Sequence, residues 1–242
     1  MANTWGNFKK LTATAPPYRL ICRSYGMEKV GKSHFGLTGP GPVAILSFDV
    51  GLEGVVEKFV AAGTEVFTTE YEFDKNSCTQ DDAQVLRNRF EEDYARALSQ
   101  ARTIQIDTES ELWEVYRYAE FGSASDAPRN YVALNARYRD LIQRAYDKGV
   151  NLQLIQKMKE KWTVTDAGKP TPSGVMESVG FKEAGYIVQV NLRHSWEKGR
   201  GFITEVLNCR QNMGVAGTEH VNLTLPELGQ MVFPDSSEVA WG

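Results

Sequence analysis

The sequence predicts an α/β protein: a mainly parallel sheet flanked by helices, closed by an antiparallel pair of strands near its C-terminal end. Three observations carry this. Short apolar runs alternate with longer stretches of 3.6-residue period, the pattern of strands connected by helical crossovers. Two of the apolar runs, Val43–Asp49 and Thr103–Asp107, end in a carboxylate. A glycine-bounded turn, Gly26–Ser33, sits between the first strand-like run and the first helix-like one.

The elements follow in order. Residues 1–17 form a polar lead-in closed by Pro16-Pro17. Tyr18–Tyr25 has strand composition and runs into Gly26. A short helix starts at Lys32 and stops before Gly39-Pro-Gly-Pro42, which no helix or strand crosses easily. Val43–Asp49 reads as a strand buried on both faces. Residues 52–62 suit a short helix and Thr64–Thr69 a third strand. Residues 79–101 place Val85, Leu86, Phe90, Tyr94, Ala97, Leu98 and Ala101 on one helical stripe. Asp81 and Asp82 near its start favour the helix dipole. Thr103–Asp107 is the next strand. Leu112, Trp113, Tyr116 and Ala119 mark a helix ending near Gly122. A further helix over 129–148 carries Tyr131, Leu134, Tyr138, Leu141, Ile142 and Ala145, with Gly149 as its C-cap.

Asn151–Gln156 is again a strand. Residues 157–185 are polar, rich in Lys, Gly and Pro, and without a clean period; they read as a mobile loop with a short helix near its end. Residues 186–193 and 202–208 read as two strands joined by the turn Glu197–Gly201. The remainder, 212–242, reads as a loose tail. The expected organisation is therefore a lead-in (1–17), one domain (18–211) and a tail (212–242).

Composition narrows the function classes. The chain has 242 residues, 27 Lys+Arg against 31 Asp+Glu, and a net charge of −4. That excludes a uniformly basic nucleic-acid binder but not a local basic groove. Cys22, Cys78 and Cys209 are scattered, as are the three histidines, so neither a disulfide framework nor a structural zinc site is expected. No apolar run approaches the ~20 residues of a membrane span, and residues 1–17 lack the apolar core of a secretory signal. A cytoplasmic protein is expected, with no membrane partner.

The sharpest feature is Gly26-Met27-Glu28-Lys29-Val30-Gly31-Lys32-Ser33, which fits G-x-x-x-x-G-K-[ST] without a mismatch. Such a turn lets successive backbone N–H groups face an anion. Lys32 is then placed to reach the β- and γ-phosphates of a nucleotide and Ser33 to ligate Mg²⁺. The loop residues and the adjoining His34 form the candidate nucleotide site. A second acid must hold the magnesium side; Asp107, 74 residues after Ser33, is chosen over Asp49. Each of the two also has a bland reading as a strand-ending turn residue.

Residues 18–211 resemble the RecA-like phage ATPases of the single-strand annealing and recombination type, also described as phage nucleotide-binding AAA proteins. Four segments carry the resemblance: Ile21–Ser33, Ala44–Gly51, Thr103–Trp113 and Gly201–Arg210. It implies a RecA-like P-loop core that binds ATP and Mg²⁺, hydrolyses ATP, and assembles as a homo-oligomer on single-stranded DNA with nucleotide at subunit interfaces. A single-stranded DNA-binding protein is a further implied partner. Carried over by residue, Lys32 and Ser33 bind phosphate and Mg²⁺, and Asp107 is the Walker B acid. Gln156 takes the place of a γ-phosphate sensor, and Arg210 that of a basic residue reaching a neighbour's nucleotide. The family's catalytic Glu falls where this chain has Gly51; Glu53 is the substitute, with Glu109 another candidate.

Bland readings stand beside these. Gln156 can simply end a strand, and Arg210 can be a solvated arginine. Lys157–Trp162 and Trp196–Gly201 mix basic and aromatic residues as a single-strand DNA surface would, and as an exposed charged loop would. Two rival functions remain: a P-loop kinase of nucleotides or small molecules, disfavoured because residues 157–185 hold no Arg for a phosphate lid, and a nucleotide-gated assembly protein with little turnover, favoured by Gly51.

Overall fold

The computed structural model describes residues 18–49, 51–122, 131–164, 170–236 and Trp241. The lead-in, and residues 129–130 at the expected start of one helix, lie outside the described residues. Among the described residues, ten strands and seven α-helices follow in order: β1 (Ile21–Gly26), α1 (Lys32–Leu37), β2 (Val43–Ser47), α2 (Val56–Ala61), β3 (Val66–Glu70), α3 (Gln80–Gln100), β4 (Thr103–Asp107), α4 (Glu109–Phe121), α5 (Val132–Lys148), β5 (Asn151–Gln156), β6 (Met158–Val164), β7 (Pro170–Ser178), α6 (Ala184–Ile187), β8 (Val190–Glu197), β9 (Gly201–Cys209), β10 (Glu219–Val221) and α7 (Leu225–Val232). Eight strands form one sheet in the order β10-β9-β8-β1-β5-β4-β2-β3. Every pairing from β8 to β3 is parallel. The expected antiparallel pair is β8–β9, and β10 adds a second antiparallel pairing to β9.

Two apolar layers cover the sheet. α3, α4 and α5 bury Phe90, Tyr94, Tyr116, Tyr138 and Leu141 against Ile21, Ile104, Ile106, Leu152 and Leu154. The capping box at Thr79 and Asp82 starts α3, and Gly149 at φ 70° ends α5 as expected. Val85 departs from the expected stripe and is exposed; Ala83 is buried instead. On the opposite face, Phe35 of α1 and Leu225, Leu228 and Val232 of α7 pack on Cys22, Val190, Leu192 and Val206.

Two segments differ from their expected form. Residues 158–164 and 170–178 pair as a two-stranded antiparallel hairpin standing apart from the main sheet, with a register shift between Glu160 and Trp162. Most of its side chains are exposed, so no buried face imposes the alternation that marks a strand. Of the expected tail, residues 212–236 and Trp241 are likewise built into the fold, and the rest lies outside the described residues. β10 extends the sheet, and α7 is started by a capping box at Thr224 and Glu227 with Pro at its first turn. The Trp241 ring lies against Gly229 and stacks on Phe233. The strand expected over 186–193 begins later, at Val190, because Ala184–Ile187 turns as α6. Among the described residues, no helix is long and apolar enough to cross a membrane.

Candidate phosphate-binding site

The parallel strands β1, β5, β4 and β2 all end on one edge of the sheet. Gly26–Gly31 leaves β1 there and returns as α1. Lys29 and Gly31 adopt left-handed backbone, φ 60° and 86°. At Gly31 a side chain is excluded twice, by its φ and by the Phe202 ring, which a Cβ would meet at 2.7 Å. The turn is thus held in a curled form, the kind of turn in which successive main-chain N–H groups can face an anion. Lys32 folds back over it, its Nζ donating to the carbonyls of Gly26 (3.0 Å) and Met27 (2.5 Å).

The chosen acid lies directly across. Ser33 Oγ donates to Asp107 Oδ2 at 2.5 Å. Gln105 Nε2 donates to the same oxygen at 3.3 Å. β5 lies between β1 and β4, and α1 crosses over it to bring Ser33 to the end of β4. Burial pushes the Asp107 carboxyl above its ordinary range; the Ser33 hydroxyl and Lys32 oppose that, and nearby Asp49 adds to it. Burial likewise lowers Lys32, countered by Asp107 and Asp49.

Beneath α1 runs a row of buried polar groups that sequence reasoning does not single out. Thr204 and Ser24 flank His194 at 3.1 Å on its two ring nitrogens. Gln153 Nε2 donates to Ser24 Oγ (2.9 Å) and to the Lys32 carbonyl (3.0 Å). Gly36 of α1 sits so close that a Cβ would meet Gln153 Oε1 at 2.0 Å and Gln105 Oε1 at 2.4 Å. Neither of those amide oxygens has a hydrogen-bond partner among the described residues. The available signal was polar residues at inward positions of central strands.

The remaining candidates lie elsewhere. Gln156 is buried on the α4–α5 face, its amide donating to Glu109 Oε2 at 2.8 Å. Glu109 also accepts from the Phe181 N–H at 3.0 Å, and burial pushes its carboxyl up to about 7. The Tyr138 hydroxyl lies beside it without a hydrogen bond of ordinary geometry. Glu53 is exposed in the turn before α2. Arg210 follows β9 at the sheet's far edge, donating to the Tyr186 carbonyl. The structure therefore brings together Gly26–Ser33 and Asp107, with Asp49 nearby, and does not bring Glu53, Gln156 or Arg210 to them.

Residues just beyond Asp107 grip the base of the β6–β7 hairpin. Ser110 Oγ donates to the Val179 carbonyl at 2.5 Å and accepts from the Lys157 N–H at 2.8 Å. Glu111 pairs with Lys157 Nζ at 3.0 Å. The hairpin and the β8–β9 turn thus flank the phosphate loop on the same edge. Trp162 and Trp196 are exposed there, 61% and 55%. Arg200 pairs with Glu197 and Glu219, and Lys159 with Glu177.

No protein-family model matches the chain, and a search of curated proteins finds no significant match.

Proposed function

We propose that this chain is a RecA-like P-loop protein that binds ATP with Mg²⁺, hydrolyses it, and acts on single-stranded DNA. The observation that carries the reading is the Ser33–Asp107 hydrogen bond. A loop of the right sequence and a strand-ending acid, 74 residues apart, meet within hydrogen-bond distance, adjacent enough for a cation to take the place of the shared proton. Among the described residues no cluster of three or more His, Cys, Asp or Glu side chains could hold a metal. Mg²⁺ characteristically uses one or two protein oxygens, with phosphates and water completing its shell. The Ser33–Asp107 pair fits that habit.

The roles follow from the geometry. Lys32 exchanges its two carbonyl partners for phosphate oxygens and neutralises their charge. Ser33 and Asp107 orient the cation, which when bound polarises the terminal phosphate. The sheet order supports the RecA-like reading, because the strand ending in Gln156 lies between the phosphate-loop strand and the Asp107 strand. Gln156 reaches a γ-phosphate only by releasing Glu109. Arg210 is too far along the sheet to serve its own loop, so it acts only on a neighbouring subunit's nucleotide. The DNA surface is the hairpin and the β8–β9 turn, with Lys157, Lys159, Lys161, Lys198 and Arg200 on phosphates and Trp162 and Trp196 stacking on bases, worth ~1–3 kcal/mol each.

A second reading, a nucleotide-gated assembly protein with little turnover, is favoured by the position of the acids. Gly51 replaces the expected Glu, Glu53 is exposed, and Glu109 is sequestered. Phosphate release measured with and without single-stranded DNA separates the two. The leading reading expects stimulation by DNA. Nucleotide binding without release under either condition selects the assembly switch, and transfer of phosphate to a metabolite selects a kinase.

A further inference from the structure

Beside the phosphate loop lies a group of aromatic rings that the chemistry above does not use, with Phe202 on the side away from Asp107. The Phe202 ring at the start of β9 rests on Gly31. The His34 ring lies 5.7 Å from it, tilted by 33°. Phe59 of α2 meets the other side of His34 edge-on at 4.9 Å. Phe59 and Phe202 are half-buried, and His34 is exposed. Asn222 fixes the Phe202 backbone from both sides: it accepts from the Phe202 N–H at 3.3 Å, and its own N–H donates to the Phe202 carbonyl at 2.8 Å.

Strand order gives this group a direction. Counting outward from β1, Asp107 lies two strands away on one side, and Phe202 lies two strands away on the other. A polyphosphate chain held by Lys32 and Ser33, with its cation-bearing end at Asp107, directs its opposite end toward His34 and Phe202. In a nucleoside triphosphate that opposite end carries the sugar and the base. We propose that His34 and Phe202 form the base subsite, an aromatic step on which the nucleotide's purine stacks. This inference rests on the phosphate-site reading. Stacking on an aromatic face is favourable for every base because each has a π-face. Phe202 has a second duty in the same place, since its ring backs the left-handed turn at Gly31. Burial and the nearby Lys58 hold the His34 imidazole below its ordinary range.

The test compares a ligand that has a base with one that lacks it. Equilibrium binding of Mg²⁺–ATP and of Mg²⁺–tripolyphosphate is measured on the wild-type protein and on His34→Ala, His34→Phe and Phe202→Leu, each checked for native circular dichroism. The wild type is expected to bind ATP at least tenfold more tightly than tripolyphosphate, a difference of about 1.4 kcal/mol. His34→Ala and Phe202→Leu should lose most of that preference. Tripolyphosphate affinity should stay within about twofold in His34→Ala, and His34→Phe should retain the preference. Equal wild-type affinity for the two ligands, or a parallel loss of both in His34→Ala, would overturn the base subsite while leaving the phosphate site in place. A wild-type protein that binds neither ligand would overturn the phosphate site, and the base subsite with it.

Discussion

On the face of the sheet covered by α3, α4 and α5, strands β1, β4 and β5 present Ile21, Ile104, Ile106, Leu152 and Leu154 to a wall of buried aromatics. On the face beneath α1 the same three strands present Ser24, Gln105, Asp107 and Gln153, every one buried. The first face follows the ordinary rule of burial: Phe90, Tyr94, Tyr116 and Tyr138 bring large apolar area, and each aromatic contact adds about 0.5–1.5 kcal/mol beyond it. The second carries amide oxygens at Gln105 and Gln153 with no partner among the described residues. Such groups cost about 1–3 kcal/mol each. The unpartnered oxygens of Gln105 and Gln153 lie directly under the loop Gly26–Ser33, whereas those of the other face, Gln156 Oε1 and the Tyr138 hydroxyl, lie beside Glu109; the sheet is divided into a mainly stabilising side and a positioning side.

The comparison can be broken most forcefully on the stabilising side. Phe90 is fully buried and packs between Phe48, Tyr71, Tyr94 and Tyr116. Phe90→Ala is expected to lower unfolding free energy by about 3–5 kcal/mol, measured by urea denaturation, while the folded protein keeps its nucleotide affinity. A comparable loss of affinity at low denaturant would show that the two faces are not separable.

Acid–base titration gives the next largest effect. Glu109 is pushed from 4.5 up to about 7 by burial, so the folded state holds a proton that the unfolded state releases. Its contribution is full below pH 4.5 and is lost as pH rises through about 7, a total of about 3 kcal/mol. His194, on the other face, has the opposite sign. Burial lowers it from 6.5 to about 3, so its contribution is full above pH 6.5 and lost as pH falls toward 3. Between pH 4.5 and 6.5 the two oppose each other, and Glu109→Gln isolates the Glu109 contribution. The stability of wild type relative to Glu109→Gln should fall between pH 4.5 and 7, measured by denaturation at each pH. A pH-independent difference would contradict a buried, protonated Glu109.

The smallest effect sharpens the positioning side. Gln153→Leu removes an unpartnered oxygen together with the donor to Ser24 and to the Lys32 carbonyl. Stability should stay within about 1 kcal/mol, while affinity for Mg²⁺–ATP falls about fivefold, the equivalent of one net hydrogen bond. A large stability loss with unchanged affinity would make Gln153 an ordinary core residue.

The same division explains what the sequence made legible. Gly26–Ser33 was legible because a curled turn under a lysine restricts residue identity at fixed positions. Asp107 was legible because an apolar strand ending in a carboxylate stands out, and the long helices because their stripes face a deep core. Gln105, Gln153 and His194 were not, since isolated polar residues in a strand read the same whether they bond a neighbouring strand or solvent. The β6–β7 hairpin was not, because both of its faces are largely exposed and the shift at Glu160/Trp162 breaks its period. The α7 helix did carry a signal, Thr224 three residues before Glu227 with Pro226 between, and reading 212–242 as a tail overlooks that capping pattern.

The central claim is that Gly26–Ser33 and Asp107 hold a nucleotide's phosphates through Lys32 and a shared cation. Calorimetric titration of ATP, with Mg²⁺ and with excess chelator, tests it most directly in wild type, Lys32→Ala and Asp107→Asn, with Asp49→Asn as the competing acid. The account predicts Mg²⁺-dependent binding by wild type and loss of most of it in a folded Lys32→Ala. It also predicts a larger loss of Mg²⁺ dependence in Asp107→Asn than in Asp49→Asn. Wild-type affinity in folded Lys32→Ala would contradict the account.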